Sequence, residues 1–271
     1  MSKPKVAFFD FTSCEGCQLT VVDSLQTHLD LLDAIDIVQF REAMSEKGDD
    51  YQIAFVEGSC TRKSDEDRLM RIREQAEIVV ALGACAHLGG VNALRNRQSL
   101  DEISTYVYGD SRDWTESVPY RRQQVNEDLM RVTPLAQPIE AIVRVDAILP
   151  GCPIDREEFV RVTKQLLQGR SPRIPDYPLC VECKLRENVC LFHRGQVCLG
   201  PVTRAGCGAI CPAHGDSCQA CRGAIPNPNL DALHSVLAEA RLTAEDILTR
   251  FTMFGTYQHM QREQQAERAA R

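Results

Sequence analysis

Twelve of the chain's 13 cysteines fall into three groups of four, and that grouping sets the chemistry available. Cys180, Cys183, Cys190 and Cys198 form one quartet, spaced as a CxxC followed by six and then seven intervening residues. Cys207, Cys211, Cys218 and Cys221 form the next and end in a second CxxC. The stretch is too short to bury eight thiols as ordinary core. Four thiolates per site is the ligand set of an iron–sulfur cluster or of a structural zinc. The choice between those metals separates an electron carrier from a chain that folds around an ion.

A disulfide framework is the other use of so many cysteines, but it belongs to short exported chains. The opening MSKPKVAFFDF runs from basic residues into a strand-like segment, without a signal-peptide hydrophobic region or twin arginine. No apolar stretch approaches the roughly 20 residues of a membrane span. The expectation is therefore a cytoplasmic chain whose thiols are ligands. A length of 271 residues with 44% hydrophobic content allows one large or two modest domains, and a net charge of -7 gives no reason to expect nucleic acid.

The elements that must position the remaining cysteines read as α/β. Lys5 to Phe11, Asp36 to Phe40, Gln52 to Val56, Ile78 to Leu82 and Val145 to Leu149 are β-rich apolar runs that alternate with amphipathic stretches. Such alternation predicts a parallel sheet with covering helices. Gln18 to Leu32 places Leu19, Val22, Leu25, Leu29 and Leu32 on one helical face, Asp65 to Gln75 repeats the pattern, and another helix follows Pro153. Ligands of open α/β sheets sit at the carboxyl ends of the strands. Cys14 and Cys17 follow the first strand, Cys85 the fourth and Cys152 the fifth, so topology would converge them into a third four-thiolate site. Taken singly, Cys85 and Cys152 would instead pass as small buried hydrophobes. No GxGxxG follows the first strand and no Walker sequence is present, so the sheet is not built for a dinucleotide or nucleoside triphosphate.

With these residues in place, the chain resembles the small subunit of nickel–iron hydrogenases over nearly its whole length. The motifs are CEGC after the first strand, EGSC at Glu57 to Cys60, GACAHLGG after the fourth strand, GCP after the fifth, and CLGPVTRAGC in the cysteine-dense region. The resemblance implies a flavodoxin-like domain whose proximal 4Fe-4S cluster, held by Cys14, Cys17, Cys85 and Cys152, faces the nickel–iron site of a separate large subunit. It allots Cys180, Cys183, Cys190 and Cys198 to a distal 4Fe-4S cluster and Cys207, Cys211, Cys218 and Cys221 to a medial one. Periplasmic members use a histidine as the first distal ligand and three cysteines around a medial 3Fe-4S cluster. Here Cys180 stands in place of the histidine, and Cys211, followed by Pro212, completes the medial set. These departures resemble the cytosolic branch, in which flavin/iron–sulfur subunits exchange electrons with NAD(P) or sulfur compounds. Electron passage during reversible dihydrogen oxidation is the implied function. The rivals are an iron–sulfur subunit of quinone-reductase type, a zinc-stabilised binding module and a stand-alone polyferredoxin.

The implied organisation is a flavodoxin-like domain over 1–168, a linker over 169–179, a ferredoxin-like domain over 180–229, and C-terminal helices with a tail over 230–271. Several residues keep two readings. Glu15 and Glu57 are either acids acting beside the proximal cluster or helix caps. Cys60 is a spare thiol near that cluster or a plain buried residue. His87, His193 and His214 lie near ligand cysteines in supporting or structural roles. Tyr106, Tyr108, Trp114 and Tyr120 mark the long Val91 to Gln137 excursion as large-subunit contact or as packing on its own domain. Leu230 to Ala240 and Thr243 to Phe254 are expected to be amphipathic helices, Thr243 and Asp246 forming a weak capping box. The end, QREQQAERAAR, reads as a solvated helix extension or frayed tail.

Overall fold

The computed structural model describes residues 3–108, 132–240 and 244–270. Five parallel strands form the central sheet: β1 (Lys5–Asp10), β2 (Asp36–Phe40), β3 (Ile53–Glu57), β5 (Ile78–Leu82) and β7 (Ala147–Leu149). Their spatial order is β2-β1-β3-β5-β7, which is 2-1-3-4-5 when sheet strands alone are counted. This is the flavodoxin-like order. β4 (Cys60–Arg62) and β6 (Val132–Gln137) form a separate antiparallel ribbon. The five predicted strands are all present. β3 is buried at every position, as a central parallel strand covered on both faces should be.

One face of the sheet is covered by α1 (Gly16–Thr27) and by α6 (Arg156–Leu167). Phe8 stacks on Phe40 at 4.4 Å and Phe55 at 5.0 Å between ring centroids, and Phe159 of α6 closes the cluster 5.6 Å from Phe55. Each such fully buried side chain contributes roughly 1.5–3 kcal/mol. The other face packs on α3 (Lys63–Gln75) through Leu69 and Ile72. A short α4 (Gly83–Leu88) begins directly after β5.

The helix expected from Gln18 to Leu32 is two helices, because α1 ends at Thr27 and α2 (Leu29–Ala34) restarts after His28, whose φ of -120° is not helical. The break rotates the face. Val21, Leu25 and Leu31 are buried, whereas Leu19, Leu29 and Leu32 face outward. Within the excursion, a 3-10 turn (Val91–Arg97) and α5 (Leu100–Tyr108) precede β6. Tyr106 is 92% exposed. Trp114, Tyr120 and the Thr243 cap lie outside the described residues.

The cysteine-dense region carries only short helices, α7 (Cys180–Leu185) and α8 (Ile210–Ala213). Leu233 and Leu237 of α9 (Leu230–Glu239) pack on its Val197, Leu199 and Val202. α10 (Ala244–Ala270) runs well beyond the expected Phe254 and lays Phe254 against Ala84 and Leu88 of α4. The tail is thus a helix, exposed over 261–268. Among the described residues, no helix is long and apolar enough to cross a membrane.

Candidate metal centres

The first cysteine group gathers at the carboxyl ends of β1, β5 and β7. Glu15 takes a left-handed turn (φ 62°) between Cys14 and Gly16, and α1 then carries Cys17 into the interior. Cys85 lies in the first turn of α4, and Cys152 in the loop after β7. The Ala84 N–H donates to the Gly151 carbonyl at 2.7 Å, tying these two cysteine-bearing segments together. Burial pushes the Cys85 thiol up to about 12, and Cys152 and Cys14 add to the shift. Burial also raises Cys17 strongly, with Glu57, Cys152 and Cys85 contributing, while the Ile154 N–H at its sulfur draws it back. Buried thiols that resist ionisation together are what a bound metal relieves, because coordination deprotonates them outright.

Two glycines show how closely the backbone wraps these sulfurs. Gly83 (φ 84°) and Gly90 (φ 57°) hold conformations that disfavour side chains. A Cβ on Gly90 would lie 2.9 Å from Cys85 Sγ, and one on Gly83 would overlap Cys17 Sγ.

The members of the two later groups also raise one another. Burial raises Cys180 to about 11, followed by Cys198, Cys183 and Cys190, the other three members of its group. A Cβ placed on Gly200 would stand 3.5 Å from the sulfurs of both Cys180 and Cys198. In the last group, burial raises Cys221 to about 12 and Cys207 adds to it, against the Cys152 backbone N–H that donates to the same sulfur. The Ala220 N–H reaches Cys218 Sγ at 3.5 Å, from a residue held at φ 62°. Backbone donors to sulfur of this kind orient ligands and tune a metal.

These contacts also order the groups. Cys152 of the first group adds to the upward shift of Cys221, and Cys198 of Cys180–Cys198 adds to those of Cys211 and Cys218, so each pair lies close enough to interact. The group nearer the C-terminus therefore lies between the other two. Among the described residues, no three His, Cys, Asp or Glu side chains close tightly enough to hold a single metal ion. All-thiol sets with a backbone donor and close glycines are the donor chemistry that holds an iron–sulfur cluster.

Glu57 resolves toward the cap. Its carboxylate, 2% exposed, accepts from the N–H of Cys17 at 3.1 Å and of Gln18 at 2.9 Å, anchoring the start of α1. Burial pushes this carboxyl up, and the two amides oppose the shift. Glu15 makes no side-chain cap; burial and then Glu42 raise its carboxyl. Cys60, on β4, is buried with Phe9, Leu69 and Ile139 on the α3 side of the sheet. Burial and then Asp65 and Glu66 raise it to about 12, with no ligand thiol contributing. His193 and His214 are exposed, whereas desolvation depresses the more enclosed His87 to about 4.

A family profile described as NADH ubiquinone oxidoreductase, 20 Kd subunit, matches residues 14–166, which takes in the first cysteine group. The chain is 32% identical over 255 residues to sulfhydrogenase 2 subunit delta of Pyrococcus furiosus, covering 93% of this chain and 100% of that one. The chain belongs to the nickel–iron hydrogenase small-subunit family. A second family member, a vhu subunit of the F420-non-reducing hydrogenase of Methanocaldococcus jannaschii, is 31% identical over 278 residues, covering 92% of this chain and 94% of that one. A chain in the crystal structure of an NAD+-reducing [NiFe]-hydrogenase in the H2-reduced state superposes with a TM-score of 0.56 at 30% identity. It covers 64% of this chain and 96% of its own, so this small subunit is the longer of the two.

Proposed function

We propose that this hydrogenase small subunit is an oxidoreductase component that holds three 4Fe-4S clusters. Cys14, Cys17, Cys85 and Cys152 would hold the proximal one, Cys207, Cys211, Cys218 and Cys221 the medial, and Cys180, Cys183, Cys190 and Cys198 the distal. When bound, the clusters supply one-electron redox centres between the nickel–iron site of a large subunit and a flavin/iron–sulfur module reactive with NAD(P) or sulfur compounds, during reversible dihydrogen oxidation. The observation that carries the reading is that the four cysteines following β1, β5 and β7 gather at one sheet edge, with the backbone of Gly83 and Gly90 wrapped against Cys17 and Cys85 Sγ.

The chain's own residues divide the work. Glu57 and Gly83 seat Cys17, and the Ala84 amide holds the Cys152 loop beside Cys85. Exposed Cys14 and Cys152 turn the first group outward, the side on which the large subunit would sit. Exposed Cys190 opens the Cys180–Cys198 group to a second partner. The domain limits 1–168, 169–179, 180–229 and 230–271 follow this division. Anaerobic purification of the tagged chain from its host tests the reading. A nickel-containing subunit should co-purify and the complex should reduce a viologen dye under dihydrogen; a complex without nickel would contradict it.

A further inference from the structure

Among the described residues, Arg222 is the largest side chain that the fold buries completely, at 1% exposure, and it immediately follows the medial ligand Cys221. Its guanidinium reaches three different segments. Nη2 pairs with Glu158 of α6 at 2.7 Å, Nη1 donates to the Pro150 carbonyl at 2.7 Å, and Nε donates to the Ala205 carbonyl at 2.8 Å. Pro150 lies two residues before Cys152, and Ala205 two before Cys207. Glu158 is also 1% exposed, with Arg161 at 3.2 Å from its other oxygen. One planar group therefore spans the loop of a first-group ligand and the loops of two medial-group ligands, and a helix of the α/β domain anchors it.

Burying such a pair is expensive, and a well-packed apolar pair is often equally stable or more so. Stability alone does not account for an arginine here. Its rigid fork fixes directions that a lysine ammonium does not.

We propose that Arg222, held by Glu158, is a positioning residue that sets the separation of the proximal and medial ligand loops, those of Cys152, Cys207 and Cys221. The inference rests on the reading that both groups hold clusters. Arg222 acts through Pro150, Ala205 and the main chain of Cys221.

The test uses the purified heterodimer with Arg222→Lys and with the double replacement Glu158→Leu/Arg222→Met. The double replacement keeps apolar packing and leaves no buried charge alone, so it folds even where the single variant does not. Iron per chain and the magnetic interaction between the reduced proximal and medial centres, read by electron paramagnetic resonance, are measured for each. Dye reduction under dihydrogen is compared with hydrogen–deuterium exchange, which the nickel–iron site performs without onward electron transfer. The expected result is full iron, a lost or altered interaction splitting, and a fall in dye reduction relative to exchange. An unchanged splitting and an unchanged ratio in a variant with full iron would overturn the inference. Failure of the underlying reading shows separately, as low iron in the unsubstituted chain.

Discussion

Replacing Glu57 tests how the fold seats its first ligand group. In Glu57→Ala the N–H groups of Cys17 and Gln18 lose the acceptor 3.1 and 2.9 Å away, in a site that water does not reach. An orphaned buried donor costs about 1–3 kcal/mol, so the pair amounts to roughly 2–6 kcal/mol. The burial that already pushes the Glu57 carboxyl up is relieved on removal, which places the net effect in the lower half of that range. Glu57→Gln keeps one carbonyl acceptor but turns an NH2 toward the other amide, and should cost about half as much. The assay is anaerobic denaturant unfolding of the iron-loaded chain, followed by far-ultraviolet circular dichroism for the backbone and by spectroscopy of each cluster. The proximal signal should be lost first, in the order alanine, glutamine, unsubstituted chain. An alanine variant within about 0.5 kcal/mol of the parent, the range of a neutral surface change, would refute the reasoning, as would earlier loss of the distal signal.

Gly83→Ala forces a side chain onto a φ of 84° and into Cys17 Sγ; it should cost about 1–2 kcal/mol from the backbone alone and remove about four irons per chain. Iron analysis beside circular dichroism checks this. Cys60→Ala should lower stability by about 1–2 kcal/mol on thermal unfolding while leaving iron content and cluster spectra unchanged, because no ligand thiol neighbours Cys60. Burial raises the Asp146 carboxyl, but the Val79 N–H and Arg73 together bring it below its ordinary value of 3.8. The ionised form is thus favoured by folding, so its contribution is present above 3.8 and is lost as pH falls through the lowered folded value. Asp146→Asn should therefore cost about 1–2 kcal/mol near neutral pH and little in acid, as read by unfolding across pH.

The strands were legible because apolar β-rich runs must be buried on both faces of a parallel sheet, and the carboxyl-end rule then brought Cys14, Cys17, Cys85 and Cys152 together. Periodicity failed at α1, which buries the face of Val21 and Leu25 and leaves Leu19 outward, and at His28, where the break turns Leu29 outward, choices made by tertiary packing rather than propensity. The Glu158–Arg222 pair was invisible to local patterns, its members being 64 residues apart. One signal was present: Glu158 shares the buried stripe of Val162 and Leu166 on α6, where a carboxylate needs a partner. The β4–β6 ribbon, which decides where Cys60 goes, joins Cys60–Arg62 to the far end of the excursion and has no short-range signature.

The central claim is that this one chain holds three four-iron clusters, and the most direct test is the iron, acid-labile sulfide and zinc content of the anaerobically purified chain. The account predicts about 12 irons with matching sulfide and no zinc. About four irons, or roughly two zincs in place of iron, would contradict it.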